Sequence, residues 1–123
     1  MENLMKIAIS VGAGNIEGKV DQRFGRCAYF IIYDVDTDTF EAIPNPGAQA
    51  SGGAGVQAAQ LVANSGATVI ISGGHFGPSA HSALEAGGVE MLSAGTIPLK
   101  DAIAKFKAGE LKAGELGPDR HSH

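Results

Sequence analysis

The sequence predicts an α/β protein built on one mixed five-stranded sheet, and three observations support that prediction. Five short stretches, starting with Lys6–Val11, are rich in β-branched and aromatic residues and have the length of strands. Three segments with apolar residues at helical spacing follow the third, fourth and fifth of these strands. Glycine-rich loops join the strands to the helices. The resulting order, β-β-β-α-β-α-β-α, is typical of helices packed on a sheet.

The first half of the chain predicts a strand followed by a hairpin. Lys6–Val11 reads KIAISV, which alternates in polarity and is β-branched. After a long glycine-containing loop, residues 27–35 form the second predicted strand and residues 40–43 the third. Residues 36–39, DTDT, have the composition of the turn between them.

The second half alternates helices with strands. Residues 53–65 place Val56, Ala59 and Val62 on one helical face, and Gly66 follows as a stop signal. A strand over 67–72 comes next. Pro78–Ala86 is a short helix that begins on proline, the residue favoured at the first helical position. A fifth strand over 89–92 and a last helix over 98–107 complete the predicted elements.

This order predicts where a ligand would bind. The first, fourth and fifth strands are expected to be parallel, because helical crossovers connect them. If the fourth strand pairs with the first on the side away from the hairpin, a crevice opens at the carboxyl ends of these two strands. The loops over 12–26 and 72–77 are expected to meet there.

Composition restricts the class of protein. The 123 residues predict one domain over 1–111 and a flexible tail over 112–123. The apolar runs are too short to span a membrane, and the N-terminus has no basic region before an apolar stretch, so a cytoplasmic protein is expected. No clear signal for oligomers is present, and a monomer is favoured.

Charge argues against nucleic acid as a partner and indicates where an anion would bind. The net charge is −4, whereas a surface that follows a nucleic-acid backbone needs excess lysine and arginine. No lysine or arginine lies between Arg26 and Lys100. The early loop, with Lys19, Arg23 and Arg26, is therefore the expected source of positive charge for a site.

The segment SGGHFGPSAH, residues 72–81, raises the possibility of a ligand loop. Gly73, Gly74 and Gly77 lie between a strand and the N-terminus of a helix, where backbone N–H groups favour anions. His75 lies inside this turn and is a candidate contact, whereas His81 has the position of an ordinary helix histidine. The segment lacks the lysine of a P-loop, so glycines that only let the chain turn are an equal alternative.

Cys27 is the single cysteine, which excludes an internal disulfide and a thiolate cage within one chain. Nearby arginines would depress the pKa of its thiol and favour the reactive thiolate. The chain offers no evident histidine and acid partners for nucleophilic catalysis. A small core residue is the alternative interpretation.

Three stretches carry a family resemblance: VDQRFGRCAYFIIYDVD, ISGGHFGPSAHSALEAGGVE and DAIAKFKAGEL. They resemble the nitrogenase iron–molybdenum cofactor biosynthesis family, small NifX-like domains that also occur fused behind NifB. The most specific parts lie over 21–30, with Cys27 at a small-residue position, and over 73–80, with one extra residue in the turn.

The resemblance implies a ribonuclease-H-like three-layer fold and a carrier of metal–sulfide clusters that is not an enzyme. The implied cofactor contains molybdenum with copper or iron, and cluster-donor or acceptor proteins are the implied partners. A nuclease is not expected, because Lys6–Val11 carries no acid for metal ions. Cys27 and His75 are candidate direct ligands. The residues expected to bind the cluster are Arg23, Arg26, Cys27, Gly73, Gly74, His75, Phe76 and Gly77.

Two alternatives to the carrier remain open from the residues. One is a metal-free module that binds an anionic metabolite at the same glycine loops. The other is a sulfur-transfer protein that uses Cys27. The visible spectrum and the labile sulfur of the purified protein would separate the three.

Overall fold

The computed structural model describes residues 5–13, 18–49, 52–74 and 76–113, which form one sheet with helices on both faces. The strands are β1 (Lys6–Val11), β2 (Tyr29–Asp34), β3 (Thr39–Pro44), β4 (Val69–Ser72), β5 (Glu90–Ser93) and β6 (Lys112–Ala113). The helices are α1 (Ala54–Asn64), α2 (Pro78–Ala86) and α3 (Leu99–Lys107), and a short 3-10 turn covers Pro46–Gln49.

Every predicted strand and helix is present, but the strand count was wrong by one. β6 pairs with β5 in antiparallel register, with Ser93 opposite Lys112 and Leu92 opposite Ala113. The first two residues of the predicted tail thus belong to the sheet, and residues 114–123 lie outside the described part of the chain. Two residues carry too little periodicity to predict a strand from sequence.

The strand order is β3-β2-β1-β4-β5-β6. β1 lies next to β4 in parallel register, and β4 lies next to β5 in the same way. β2 runs antiparallel to β1 and leads into the β2–β3 hairpin. β4 thus lies beside β1 on the side away from the hairpin, the arrangement in which a crevice opens at their carboxyl ends.

Alternation along the central strands creates two apolar layers. Ala8 in β1 faces the side covered by α1 and α2, where Phe30 and Ile70 also lie. Ile7 and Ile9 face the opposite side, where α3 packs with Leu99. All six of these side chains are fully buried. The core therefore has three layers, helices–sheet–helix, and it leaves the carboxyl ends of β1 and β4 to the loops.

No helix among the described residues is both long and apolar enough to cross a membrane.

Candidate anion-binding cleft

The loop after β1 folds back over the carboxyl ends of β1 and β4. The backbone N–H of Asp21 donates to the Ser10 carbonyl at 2.8 Å, and the N–H of Gly73 donates to the Asp21 carbonyl at 3.0 Å. The N–H of Val20 donates to the Ile97 carbonyl at 2.8 Å, which ties the same segment to the loop before α3. The predicted meeting of the loops after β1 and β4 is confirmed.

A cleft of about 450 Å³ lies at this edge of the sheet. Its lining residues are Gly12, Ala13, residues 19–23 and Thr96. Lys19 and Arg23 are the two cations among these lining residues, and Asp21 is the acid. The cleft lies at the carboxyl end of β1, where ligands of open α/β sheets bind.

Asp21 fixes the position of Arg23. Its Oδ1 accepts hydrogen bonds from the backbone N–H of Arg23 at 2.8 Å and from Nε at 3.1 Å, and its Oδ2 accepts from Nη2 at 3.0 Å. The Asp21 side chain is 10% exposed, whereas that of Arg23 is 63% exposed. The largely buried carboxylate therefore anchors an exposed guanidinium that lines the cleft.

The pKa values of this pair follow from the same contacts. Burial alone would raise the pKa of the Asp21 carboxyl, but the hydrogen bonds and charge of Arg23 outweigh burial and hold that pKa below its ordinary value. The hydrogen bonds and charge of Asp21 raise the pKa of Arg23. Both groups are therefore ionised at neutral pH.

Gly73 and Gly74 make room for the loop after β1. A Cβ at Gly74 would lie 2.7 Å from the Gln22 carbonyl oxygen, and one at Gly73 would lie 3.0 Å from the Gly95 carbonyl oxygen. The N–H of Gly73 is used by Asp21, and that of Gly74 lies 3.5 Å from Ser72 Oγ. These glycines were expected to donate N–H groups to a ligand, but in the structure those groups bond within the protein. Gly77, the third glycine of the turn, is the N-cap residue immediately before α2, which begins at Pro78.

The close approach to Gln22 gives a stability prediction. We expect Gly74→Ala to lower the free energy of unfolding by about 1–3 kcal/mol, because the added methyl group forces the Gln22 backbone to move. Gly52→Ala is the matched control, since a Cβ there meets nothing within 4 Å, and its effect should stay within about 0.5 kcal/mol. Urea denaturation measures both. Equal stability of the two variants would show that the loop does not need this close approach.

Cys27 is a core residue and does not line the cleft. Its Sγ donates to the Tyr29 carbonyl at 3.3 Å, and Asn45 Nδ2 lies 3.8 Å from that sulfur. Burial, reinforced by the charge of Asp21, raises the pKa of the thiol to about 12. The expectation that nearby arginines would depress this pKa was wrong, because burial outweighs the charge of Arg23.

The other described members of the predicted set do not line the cleft. Phe76 is fully buried beside Phe24, with ring centroids 5.3 Å apart, so it forms part of the core. Arg26 is exposed and is absent from the cleft lining. His75 lies outside the described residues. Of the predicted set, Arg23 is the described residue that lines the cleft.

Sequence reasoning missed most of the lining. Lys19 was expected to supply positive charge, and Gly12 and Ala13 belong to the loop over 12–26 that was expected at the crevice. None of these residues, nor Thr96, was among the predicted binding residues. Asp21 was noticed within the family signature, without a role. The distribution of charge was the feature of the sequence that indicated the site. Few lysines and arginines occur in the first hundred residues, and two of them line the cleft.

The side chains at and around the cleft, among the described residues, suit an anion better than a bare metal ion. Within the described ranges, no group of three or more histidine, cysteine, aspartate or glutamate side chains lies close enough to hold a metal ion. The cleft instead combines Lys19 and Arg23 with a lining that includes Gly12, Ala13 and Thr96. The fold and site thus define a small α/β protein with a cationic cleft at the end of its central strands.

The chain belongs to the dinitrogenase iron–molybdenum cofactor family, whose model matches residues 5–109. Among curated proteins it is 30% identical over 115 residues to an uncharacterized protein of Methanocaldococcus jannaschii, with 91% of this chain and 93% of that one covered.

Solved structures agree with this assignment. The apo form of the orange protein from Desulfovibrio gigas is 34% identical, with a TM-score of 0.84 over 90% of this chain and 93% of that chain. A putative NifB protein from Thermotoga is 28% identical, with a TM-score of 0.77 over 89% and 92% of the two chains.

Proposed function

We propose that this protein is a non-enzymatic carrier or scaffold that holds a molybdenum-containing metal–sulfide cluster, with copper or iron as the second metal, by non-covalent contacts in the cleft. The family assignment and the similarity to the orange protein support a role in handling such clusters. The cluster is cargo, and the chain's own residues supply its binding surface.

One observation carries the proposal. Lys19 and Arg23 line a cleft of about 450 Å³, and the described residues hold no trio of metal-ligating side chains. Thiomolybdates are multiply charged anions with sulfide rims, so they need positive charge and N–H donors more than a ligand cage. Arginine suits such large, weakly hydrated anions better than lysine does.

The buried thiol argues against sulfur transfer through Cys27. A group with a pKa of about 12 remains a thiol at neutral pH, and Cys27 is fully buried. Sulfur transfer would require the core around Phe24 and Phe30 to open. We therefore leave Cys27 out of the proposed site.

Several finer features belong to the same proposal. We propose a cytoplasmic monomer that exchanges its cargo with cluster-donor and acceptor proteins and has no nucleic-acid or membrane partner. The ribonuclease-H-like assignment is supported by the order β3-β2-β1-β4-β5, in which β2 is antiparallel to β1.

Reconstitution tests the proposed cargo. Apo-protein is mixed without oxygen with tetrathiomolybdate and cuprous copper, or with tetrathiomolybdate and ferrous iron, and then passed through a desalting column. We expect molybdenum and one of the two metals to elute with the protein and to give visible charge-transfer bands. A colourless protein that retains no molybdenum but binds inorganic phosphate would overturn the carrier role in favour of a metal-free anion-binding module.

A further inference from the structure

We infer that Asp21 is a positioning residue, which aims the outer edge of the Arg23 guanidinium at two adjacent atoms of a tetrahedral oxo- or thio-anion. The inference deepens the proposed function and rests on it, because the anion is taken to bind in the same cleft. It assigns a role to Asp21, the acid among the described lining residues, where Lys19 and Arg23 supply positive charge.

The hydrogen bonds leave one edge of the guanidinium available to a ligand. Arginine carries five N–H donors in a rigid plane. Asp21 takes the side-on edge, formed by Nε and one N–H of Nη2. The adjacent end-on edge, formed by Nη1 and the second N–H of Nη2, presents two parallel donors. Such a pair matches two neighbouring oxygen or sulfur atoms of a tetrahedral anion.

Asp21 is itself held rigidly. Its N–H donates to the Ser10 carbonyl at 2.8 Å, and its carbonyl accepts from the Gly73 N–H at 3.0 Å and from Ser10 Oγ at 2.8 Å. These bonds attach Asp21 to the ends of two central strands, β1 and β4. Because Asp21 is fixed to the strand ends, its hydrogen bonds restrict the rotamers of Arg23. Without them this exposed side chain would sample many rotamers.

The negative charge of a carboxylate repels a bound anion. The direction in which the affinity changes when this charge is removed therefore tests the inference. If Asp21 acted only through its charge, Asp21→Asn would tighten the binding of an anion. If Asp21 positions Arg23, the same change weakens binding, because asparagine cannot accept from both Nε and Nη2 on its two terminal atoms. The two accounts therefore predict opposite directions.

The experiment measures the affinity of the full chain for tetrathiomolybdate by equilibrium dialysis. We expect Asp21→Asn to weaken binding by roughly 3- to 10-fold, the cost of ordering one long side chain on binding. Glu90→Gln is the matched control, since it removes the same charge from an exposed residue at the start of β5, and it should not weaken binding. Equal or tighter binding by Asp21→Asn would overturn the inference.

A second variant keeps the test decisive if Asp21→Asn fails to fold. Arg23→Lys keeps the charge but has no planar pair of donors, so we expect binding to weaken by roughly 10- to 100-fold, the loss of about one charge-assisted hydrogen bond. Unchanged affinity of Arg23→Lys would overturn the paired contact.

The NMR signal of the Arg23 Nε–H in the ligand-free protein tests the positioning role of Asp21 separately from the identity of the cargo. Slow exchange of this hydrogen with water supports the positioning role, and exchange as fast as in a free arginine overturns it. If wild-type protein shows slow exchange yet binds no tetrathiomolybdate, the proposed cargo fails while the Asp21–Arg23 geometry stands.

Discussion

Replacing Lys19 and Arg23 together by alanine is expected to lower the affinity for the molybdenum–sulfide cargo by roughly two to four decades. Each of the two substitutions removes one cation from the lining of the cleft. A charge-assisted hydrogen bond contributes about 1.5–3 kcal/mol, so the loss of two gives this range. The other described lining residues are an acid, an amide and uncharged residues, which do not neutralise a multiply charged anion. Metal analysis after desalting, at several concentrations of tetrathiomolybdate, measures the loss.

Arg26→Ala is the matched control for this variant. It removes an arginine from the same loop, three residues after Arg23, at a position that does not line the cleft. We expect it to retain the cargo with wild-type affinity, apart from a small salt-sensitive change. Circular dichroism checks that all variants are folded. Loss of cargo in Arg26→Ala, with retention in the double variant, would move the site away from the cleft.

Alkylation of Cys27 is expected to be on the order of a thousandfold slower in the native protein at pH 8 than in denaturant. The thiolate is the reactive form, and burial raises the pKa of this thiol from an ordinary value of 9.0 to about 12. That difference alone removes most of the thiolate, and the surrounding core also blocks the reagent. Iodoacetamide labelling followed by mass measurement, with and without urea, gives both rates.

The same pKa predicts the direction of a pH effect. The folded state keeps the Cys27 proton more tightly than the unfolded state, so its contribution to stability is complete below about pH 9 and is lost as pH rises toward 12. Cys27→Ala should lack this part of the alkaline destabilisation. Rapid labelling of native protein, or an identical alkaline profile for Cys27→Ala, would show that the thiol is accessible and has an ordinary pKa.

The fold was largely predictable because its signals are local. The alternation in Lys6–Val11 and the proline at the start of Pro78–Ala86 report on neighbouring residues, and both elements have the predicted bounds. The parallel direction of β4 relative to β1 followed from the helical connection between them. β6 was missed because two residues at a sheet edge are held by pairing with β5, which leaves no pattern in their own segment.

The site was less predictable because its causes are distant in sequence. Gly73 and Gly74 have the composition of a ligand loop, yet Gln22, far earlier in the chain, fills the space beside them. Cys27 has arginine neighbours in sequence, but burial decides its pKa. Charge counting selected Arg23, which lines the cleft in the structure. Its partner Asp21 became visible through the hydrogen bonds between them.

The most direct test of the account is a map of backbone amide shifts during titration of ¹⁵N-labelled apo-protein with tetrathiomolybdate and cuprous copper. We expect the largest changes at Gly12, Ala13, residues 19–23 and Thr96, which line the cleft. A second basic cavity, of about 410 Å³ and lined by Lys105 and Lys112, supplies an internal comparison. Changes concentrated there, or around the buried Cys27, with unchanged signals at residues 19–23, would contradict the claim that the cleft at the end of β1 holds the cargo.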